Sequence, residues 1–337
     1  AMRYITNIIS KRNRLTFEVQ VEIANKAMLK EGTTKRSVEK LMQKFYENAS
    51  NLSNFNNLVF EKFKEQNQFA ITKNYGEFFI RGSKIGLKKD ANLEKQKELI
   101  FDIFIAIGKS KKINAIETSS MSLLKNNLNL IDTNFRNDQK HASKFLEILK
   151  SQYNLSSILK SMKSIGVIQK YIPELDEVIG QMQFDLFHIY TVDAHTLQVV
   201  RNMRRFRYKN NEQKFPIAAH IHPRLPRIDL LYIAGLYHDI AKGMSGDHSE
   251  LGIEIADAFC KRHKLATWDT NLVRWLVQNH LVMSTTAQRK DIQDPEIIHE
   301  FARFVGEQVR LDYLYALTVA DINATNPTLW NGWRASL

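Results

Sequence analysis

The sequence predicts a mainly α-helical protein. Three observations carry that expectation: apolar residues recur at three- and four-residue spacing along most of the chain, a single short stretch alternates like paired strands, and the second half reads as one helix after another. With 337 residues, 44% of them hydrophobic, the chain is long enough for two domains or one large one around an ordinary core.

Residues 3 to 30 and 35 to 66 are the first predicted helices. Leu15, Val19, Ile23 and Ala27 form a stripe on one, Val38, Leu41, Met42, Phe45 and Tyr46 on the other, with Gly32-Thr33-Thr34 as the turn. Phe69 to Thr72 and Glu77 to Ile80, joined by Lys73-Asn74-Tyr75-Gly76, read as one small β-hairpin. From Leu93 the helical period returns, through Leu99 to Ile105, Ser120 to Asp132, Ala142 to Lys150 and Ser156 to Ile165. Gly166 and Pro173 then punctuate the way to Gly180.

Asp185 to Tyr208 is a further helix, ending in the basic run Arg201, Arg204, Arg205, Arg207 and Lys209. A loop with Pro216, Pro223 and Pro226 follows, on which His220 and His222 are expected to be exposed. Helices then cover Asp229 to Ala241, Ser249 to His263, Thr270 to Val282, Pro295 to Phe304 and Glu307 to Asn323. The chain is thus expected to divide into a helical region over 1–165, which holds the hairpin, and a second helical unit over 166–337.

No stretch approaches the roughly 20 apolar residues of a membrane span, and the N-terminus lacks the order of a signal peptide, so a cytoplasmic protein is expected. The lone Cys260 cannot form an internal disulfide and is expected to pack inertly in an amphipathic helix. The net charge of +12 is uneven: 30 Lys and Arg stand against 16 Asp and Glu up to residue 170, and 18 against 20 after it. These lysines are scattered among Asn and Glu, which suits a solvated basic surface, and nucleic acid is not an expected partner. The first half carries no GxGxxG, no P-loop and no Gly-Ser followed by spaced aspartates. Ala1-Met2 reads as a tag remnant and Trp333 to Leu337 as a cut inside an element, so a piece of something longer is expected.

Chemistry concentrates at the end of one apolar run. Leu230 to Gly243 contains His238-Asp239, an imidazole and a carboxylate at the edge of a buried helix, where stability alone rarely puts them. Asp321 falls on the stripe of Leu314, Leu317 and Thr318, so the helical period turns a carboxylate toward the core, where it needs a cation. His280 shares a stripe with Val273, Leu276 and Val277, and His195 a face with Val199 and His188. Asp247-His248-Ser249-Glu250 has the form of a helix start, with Asp247 as cap, which fixes His248 beside the loop from Gly243 to Gly246. A lone inward histidine is an ordinary core residue, whereas several around an adjacent His-Asp point to a metal. Lys242, directly after the helix that carries the pair and near the loop, is placed either for a substrate phosphate or as a solvated lysine.

The order His195, His238-Asp239, Asp321 resembles the HD phosphohydrolases, and the resemblance implies an HD-domain helical bundle for the second unit. Mixed nitrogen and oxygen ligation suits a divalent metal, Mn²⁺, Mg²⁺, Fe or Zn²⁺. Such an ion lowers the pKa of bound water, polarises a phosphoryl oxygen and offsets charge on the leaving group. His248 and His280 sit where some members hold a second ion; the alternative is that they orient ligands or protonate the leaving group.

The surrounding residues narrow the resemblance. Gly180 to Leu197, His238 to Gly243 with Gly246-Asp247-His248-Ser249, Asn279 to Arg289, Ala320 to Pro327 and Trp330-Asn331 resemble the bifunctional PII uridylyltransferase/uridylyl-removing family, strongly across 165–337 and more loosely before it. The likeness implies His195, His238, Asp239 and Asp321 as metal ligands, with His248 and His280 facing the same cleft. It implies hydrolysis of the phosphodiester between UMP and a tyrosine of the PII nitrogen-signalling protein, with UMP as product. The family's nucleotidyltransferase and ACT domains have no counterpart here, so uridylyl transfer is not expected. An HD enzyme of free nucleotides, or a non-catalytic binding module with a basic helical arm, are the competing readings.

Overall fold

The N-terminal periodicity produces two packed helices, α1 (Phe17–Lys26) and the 33-residue α2 (Thr34–Gln66), which bury Val19, Ile23 and Ala24 against Val38, Leu41 and Met42. The computed structural model describes residues 16–26, 34–66, 72–182, 190–242, 244 and 248–325, so the outer parts of the first predicted helix lie outside the described residues.

The expected hairpin is present as β1 (Thr72–Tyr75) and β2 (Phe78–Arg81), antiparallel with Tyr75 opposite Phe78; Phe69 to Ile71 lie outside the described residues. It is one part of a four-stranded sheet in the order β1-β2-β3-β4, completed by β3 (Lys84–Leu87) and β4 (Ala115–Ile116). β3 runs antiparallel to β2 and parallel to β4. The expectation of a hairpin alone is corrected on this point: β3 is short and carries Gly86, and β4 has two residues paired across a long sequence gap, so neither shows a period. Gly86 faces Phe79, and a Cβ there would lie 2.4 Å from the ring, which leaves room for hydrogen alone.

Helices α3 (Leu99–Lys109), α4 (Thr118–Asn126), α5 (Thr133–Asn137), α6 (Gln139–Leu149), α7 (Leu155–Ile165), α8 (Val167–Tyr171) and α9 (Glu174–Glu177) build the rest of the first half. Asp132 and Asp138 cap α5 and α6 by accepting the N–H groups of Phe135 and Lys140. Gly166, at φ 103°, ends α7 and opens α8.

The second half contributes α10 (Val192–Arg205), α11 (Pro216–Ile221), α12 (Ile228–Tyr237), α13 (His248–Arg262), α14 (Thr267–Asn279), α15 (Val282–Arg289), α16 (Pro295–Val305) and α17 (Gln308–Thr325). The predicted proline loop is partly helical, because Pro216 occupies the first turn of α11, where its missing N–H costs nothing. His220 is exposed as expected, but His222 is half-buried in the following 3-10 turn, and burial pushes its imidazole down to about 4 beside Arg204 and Arg207. Among the described residues, no helix is long and apolar enough to cross a membrane.

α12 is apolar around its whole circumference and every residue from Asp229 to Tyr237 is buried, as a helix at the centre of a bundle must be. It packs against α10, α13, α14 and α17. Arg227 anchors its start through paired bonds to Asp229 at 3.0 and 2.6 Å, while the Tyr313 hydroxyl donates to the Arg227 carbonyl at 2.8 Å. One buried apolar cluster runs from Phe78 to Ala324. Where it passes from the first half to the second, Tyr171 and Phe145 meet Phe259 and His263 at the end of α13. Cys260 is fully buried in α13, and burial pushes its thiol up to about 12, the inert state its position predicted.

Candidate metal centre

Helix α12 ends at Tyr237, four residues before the period predicts, and the chain turns over residues 238–242. His238 still donates its N–H to the Ala234 carbonyl at 2.9 Å, so its ring stays fixed to the helix while Asp239 leaves it. The ring donates Nδ1–H to the Gly235 carbonyl at 2.9 Å, which turns Nε2 toward the cleft, a lone pair whenever the ring is neutral. Gly235 also lets α10 come close: a Cβ there would sit 2.8 Å from the Met203 methyl.

His195 on α10 and Asp321 on α17 converge on that nitrogen. The two helices pack along their lengths, and Asn202 of α10 donates to the Ala320 carbonyl at 3.0 Å, which sets their register one residue from Asp321. His195 Nε2 lies 3.2 Å from His238 Nε2, 3.0 Å from Asp321 Oδ1 and 3.7 Å from Asp239 Oδ2. His238 Nε2 lies 3.3 Å from Asp239 Oδ2 and 3.8 Å from Asp321 Oδ1. One ligand atom each from His195, His238 and Asp239 falls within 4.8 Å of the others, and all three residues are buried. Two imidazole nitrogens and two carboxylates around one point are a donor set that fits a divalent cation.

The electrostatics reflect this crowding. Burial alone would push the Asp239 carboxyl up, but His238 and Lys242 outweigh it and hold the group well below the usual range. Asp321 is held down to about 2, where burial opposes and the His195 hydrogen bond prevails. Burial likewise disfavours charge on His238, yet Asp239 and Asp321 raise its pKa. Lys242 Nζ lies 2.7 Å from Asp239 Oδ2, so this lysine is paired inside the cleft and is not an ordinary solvated one.

His280 caps the end of α14 and donates Nδ1–H to the Val277 carbonyl at 2.8 Å, which leaves Nε2 as an acceptor 3.7 Å from Asp239 Oδ1. Burial, followed by the neighbouring His238, lowers its pKa. His248 is the first residue of α13, but its side chain, with Asp247 and His188, lies outside the described residues.

A supporting layer escaped the sequence reading. Gln181 donates Nε2–H to the Lys242 carbonyl at 3.0 Å, and its main-chain carbonyl accepts the Val192 N–H at 2.8 Å. The Gly180 N–H donates to Asp193 Oδ1 at 3.0 Å, and Asp193 is ion-paired with Lys163. This strap ties the start of α10, which carries His195, to the turn that carries His238 and Asp239. An acid in a first helical turn reads as a complement to the helix dipole, so Asp193 alone gave no warning of it.

Two family profiles match the chain: "Uridylyltransferase GlnD third domain" over residues 78–171 and "HD domain" over residues 192–325. The second takes in His195, His238, Asp239 and Asp321, and HD domains are metal-dependent. The whole chain aligns with bifunctional uridylyltransferase/uridylyl-removing enzymes, at 45% identity over 343 residues with that of Ectopseudomonas mendocina (strain ymp). Identity is also 45% with the enzyme of Pseudomonas aeruginosa (strain LESB58), and 42% with that of Pseudomonas fluorescens (strain SBW25). In each case the chain spans 38% of the relative's length. A GlnD third domain and an HD domain thus follow one another in this chain, which is similar along its full length to the bifunctional uridylyltransferase/uridylyl-removing enzymes.

Proposed function

We propose that this chain is a uridylyl-removing phosphodiesterase, hydrolysing UMP from a modified tyrosine of the PII signalling protein in the cytoplasm. The observation that carries the reading is the convergence of His195, His238, Asp239 and Asp321 from separate elements on one point. In this proposal those four residues hold a divalent ion, Mn²⁺, Mg²⁺, Fe or Zn²⁺. The HD unit is residues 166–337, and the helical region over 1–165 supports it.

When bound, the ion acidifies water and offsets phosphoryl charge. The chain's own groups then divide the remaining work. Lys242 Nζ, beside Asp239, faces the substrate phosphate. His280 presents Nε2 as an acceptor for the proton of the attacking water, or as a ligand to a second ion with His248. The water oxygen bonds to phosphorus while the bond to the tyrosine oxygen breaks. Tyrosinate, whose conjugate acid has a pKa of about 10, leaves without needing a strong acid.

The test is UMP release from uridylylated PII by this chain, followed by chromatography and by the mass of PII, with and without Mn²⁺. Metal-dependent return of PII to its unmodified mass is the expected result. Turnover of free nucleotides with uridylylated PII untouched would overturn the reading.

A further inference from the structure

Helix α2 is fastened to the protein at two places and stands off between them. Near its start Gln43 donates to the Ile179 carbonyl at 3.0 Å; near its end Glu61 and Glu65 pair with Lys84 at 2.6 and 3.1 Å, and Glu65 accepts the Thr118 N–H at 3.0 Å. The span from Gln43 to Glu61 is about 27 Å at 1.5 Å per residue. Along it the helix faces a cavity of about 620 Å³, whose other walls come from α4, α7 and the stretch from α8 to α9.

The facing walls are not those of a packed interface. α2 presents Asn51, Asn54 and Asn57 to the cavity, amides at three-residue spacing where a helix facing a core carries aliphatic side chains. Lys125 of α4 and Lys160 and Lys163 of α7 line it as well, the last two about one turn apart on the same helix face. Lys163 is committed to the buried Asp193. Lys125 and Lys160 are exposed and make no ion pair among the described residues. The acids of the lining, Glu47 and Asp176, belong to the α9 end, where Glu47 Cγ lies 2.9 Å from the place of a Cβ on Gly180. Two uncompensated ammonium groups together with a row of amides, which both donate and accept, form a receptor for a polar anion.

We propose that this cavity binds a small phosphate ester, a nucleoside or sugar phosphate, with its phosphate on Lys125 and Lys160 and its hydroxyl-bearing body against the asparagines of α2. The volume falls within the range of about 300–1,000 Å³ usual for small-molecule sites. The ligand also meets Lys163, and through it the metal centre. Asp193, the partner of Lys163, accepts the Gly180 N–H at 3.0 Å and stands two residues ahead of His195. A phosphate that draws on the Lys163 ammonium weakens that pair and loosens the start of α10. The cavity is thus an effector site, and it uses none of the residues assigned to the hydrolysis above.

Calorimetric titration of the metal-free full chain with AMP, ribose 5-phosphate and inorganic phosphate tests this. AMP should bind at one equivalent and more tightly than inorganic phosphate; ribose 5-phosphate matching AMP marks the sugar as the recognised body, and a weaker fit marks the nucleoside. The double substitution Lys125→Ala with Lys160→Ala should weaken AMP binding at least about ten-fold, since each removes a charge-assisted contact to the phosphate. Lys242→Met should leave it unchanged, which separates the cavity from the metal centre. Hydrogen exchange over residues 192–198 should rise several-fold at saturating AMP. The proposal is overturned by the absence of saturable binding, by AMP binding no tighter than inorganic phosphate, or by binding that Lys242→Met removes and the double substitution spares. Exchange over residues 192–198 that AMP leaves unchanged overturns the effector role.

Discussion

The joint between the two halves makes a prediction about pH that can be worked through from one histidine. His263 is 5% exposed, donates Nδ1–H to the Phe259 carbonyl at 2.8 Å, and accepts the Tyr171 hydroxyl at Nε2, 2.7 Å away. Both ring nitrogens are thus satisfied in the neutral form, and burial, aided by Arg262, pushes the group from 6.5 down to about 4. A folded pKa below the unfolded one means that the unfolded chain takes up the proton first. The stabilisation is complete above about 6.5 and is lost as pH falls toward 4. At 1.36 kcal/mol per pH unit the full effect is roughly 3 kcal/mol, of which about 2 kcal/mol has gone by pH 5. The perturbation is His263→Phe, which keeps an aromatic ring on Phe259 and removes the titration. Denaturant unfolding of both proteins at about pH 7.5 and pH 5 should show the stability gap between them narrowing by about 2 kcal/mol. A gap that stays constant within about 0.5 kcal/mol would refute the assignment of a neutral, buried His263 to this joint.

Asp321→Ala should weaken Mn²⁺ binding at least about ten-fold in calorimetric titration, and unchanged affinity would place Asp321 outside the metal's shell. Lys242→Met removes the ammonium that sits 2.7 Å from Asp239, so the metal should bind more tightly while KM for uridylylated PII rises; both moving in the same direction would separate Lys242 from the phosphate. Gly180→Ala places a Cβ at φ 68° and 2.8 Å from the Gln43 carbonyl oxygen, and thermal unfolding should report a loss of about 1–3 kcal/mol.

The directions of His195 and Asp321 were legible in the sequence because each lies on a helix whose apolar neighbours dictate its face. Leu314, Leu317 and Thr318 are buried as the period requires, and Asp321 is carried round with them; Val199 does the same for His195. Less legible were the ends and partners of elements. The period rotates a residue correctly but does not say where α12 stops, and the next two residues, His238 and Asp239, owe their positions to that stop. β4 has only two residues and its partner is β3, so long-range pairing made it a strand, with no local pattern to announce it. The prolines flanking His222 predict a loop, whereas Pro216 starts a helix after which the ring is half-buried.

The deepest gap concerns orientation. His238 is turned by the Gly235 carbonyl, His280 by the Val277 carbonyl, Asp321's helix by a bond from Asn202 to the Ala320 carbonyl, and the His-Asp turn by a bond from Gln181 to the Lys242 carbonyl. Each of these bonds ends on the main chain. A backbone carbonyl is the same group in every residue, so an acceptor of this kind leaves no mark on residue identity. A sequence therefore names the groups that can bind a metal more readily than it names what aims them. The tautomers that expose Nε2 at His238 and His280 follow from the second kind of information, and only the fold supplies it.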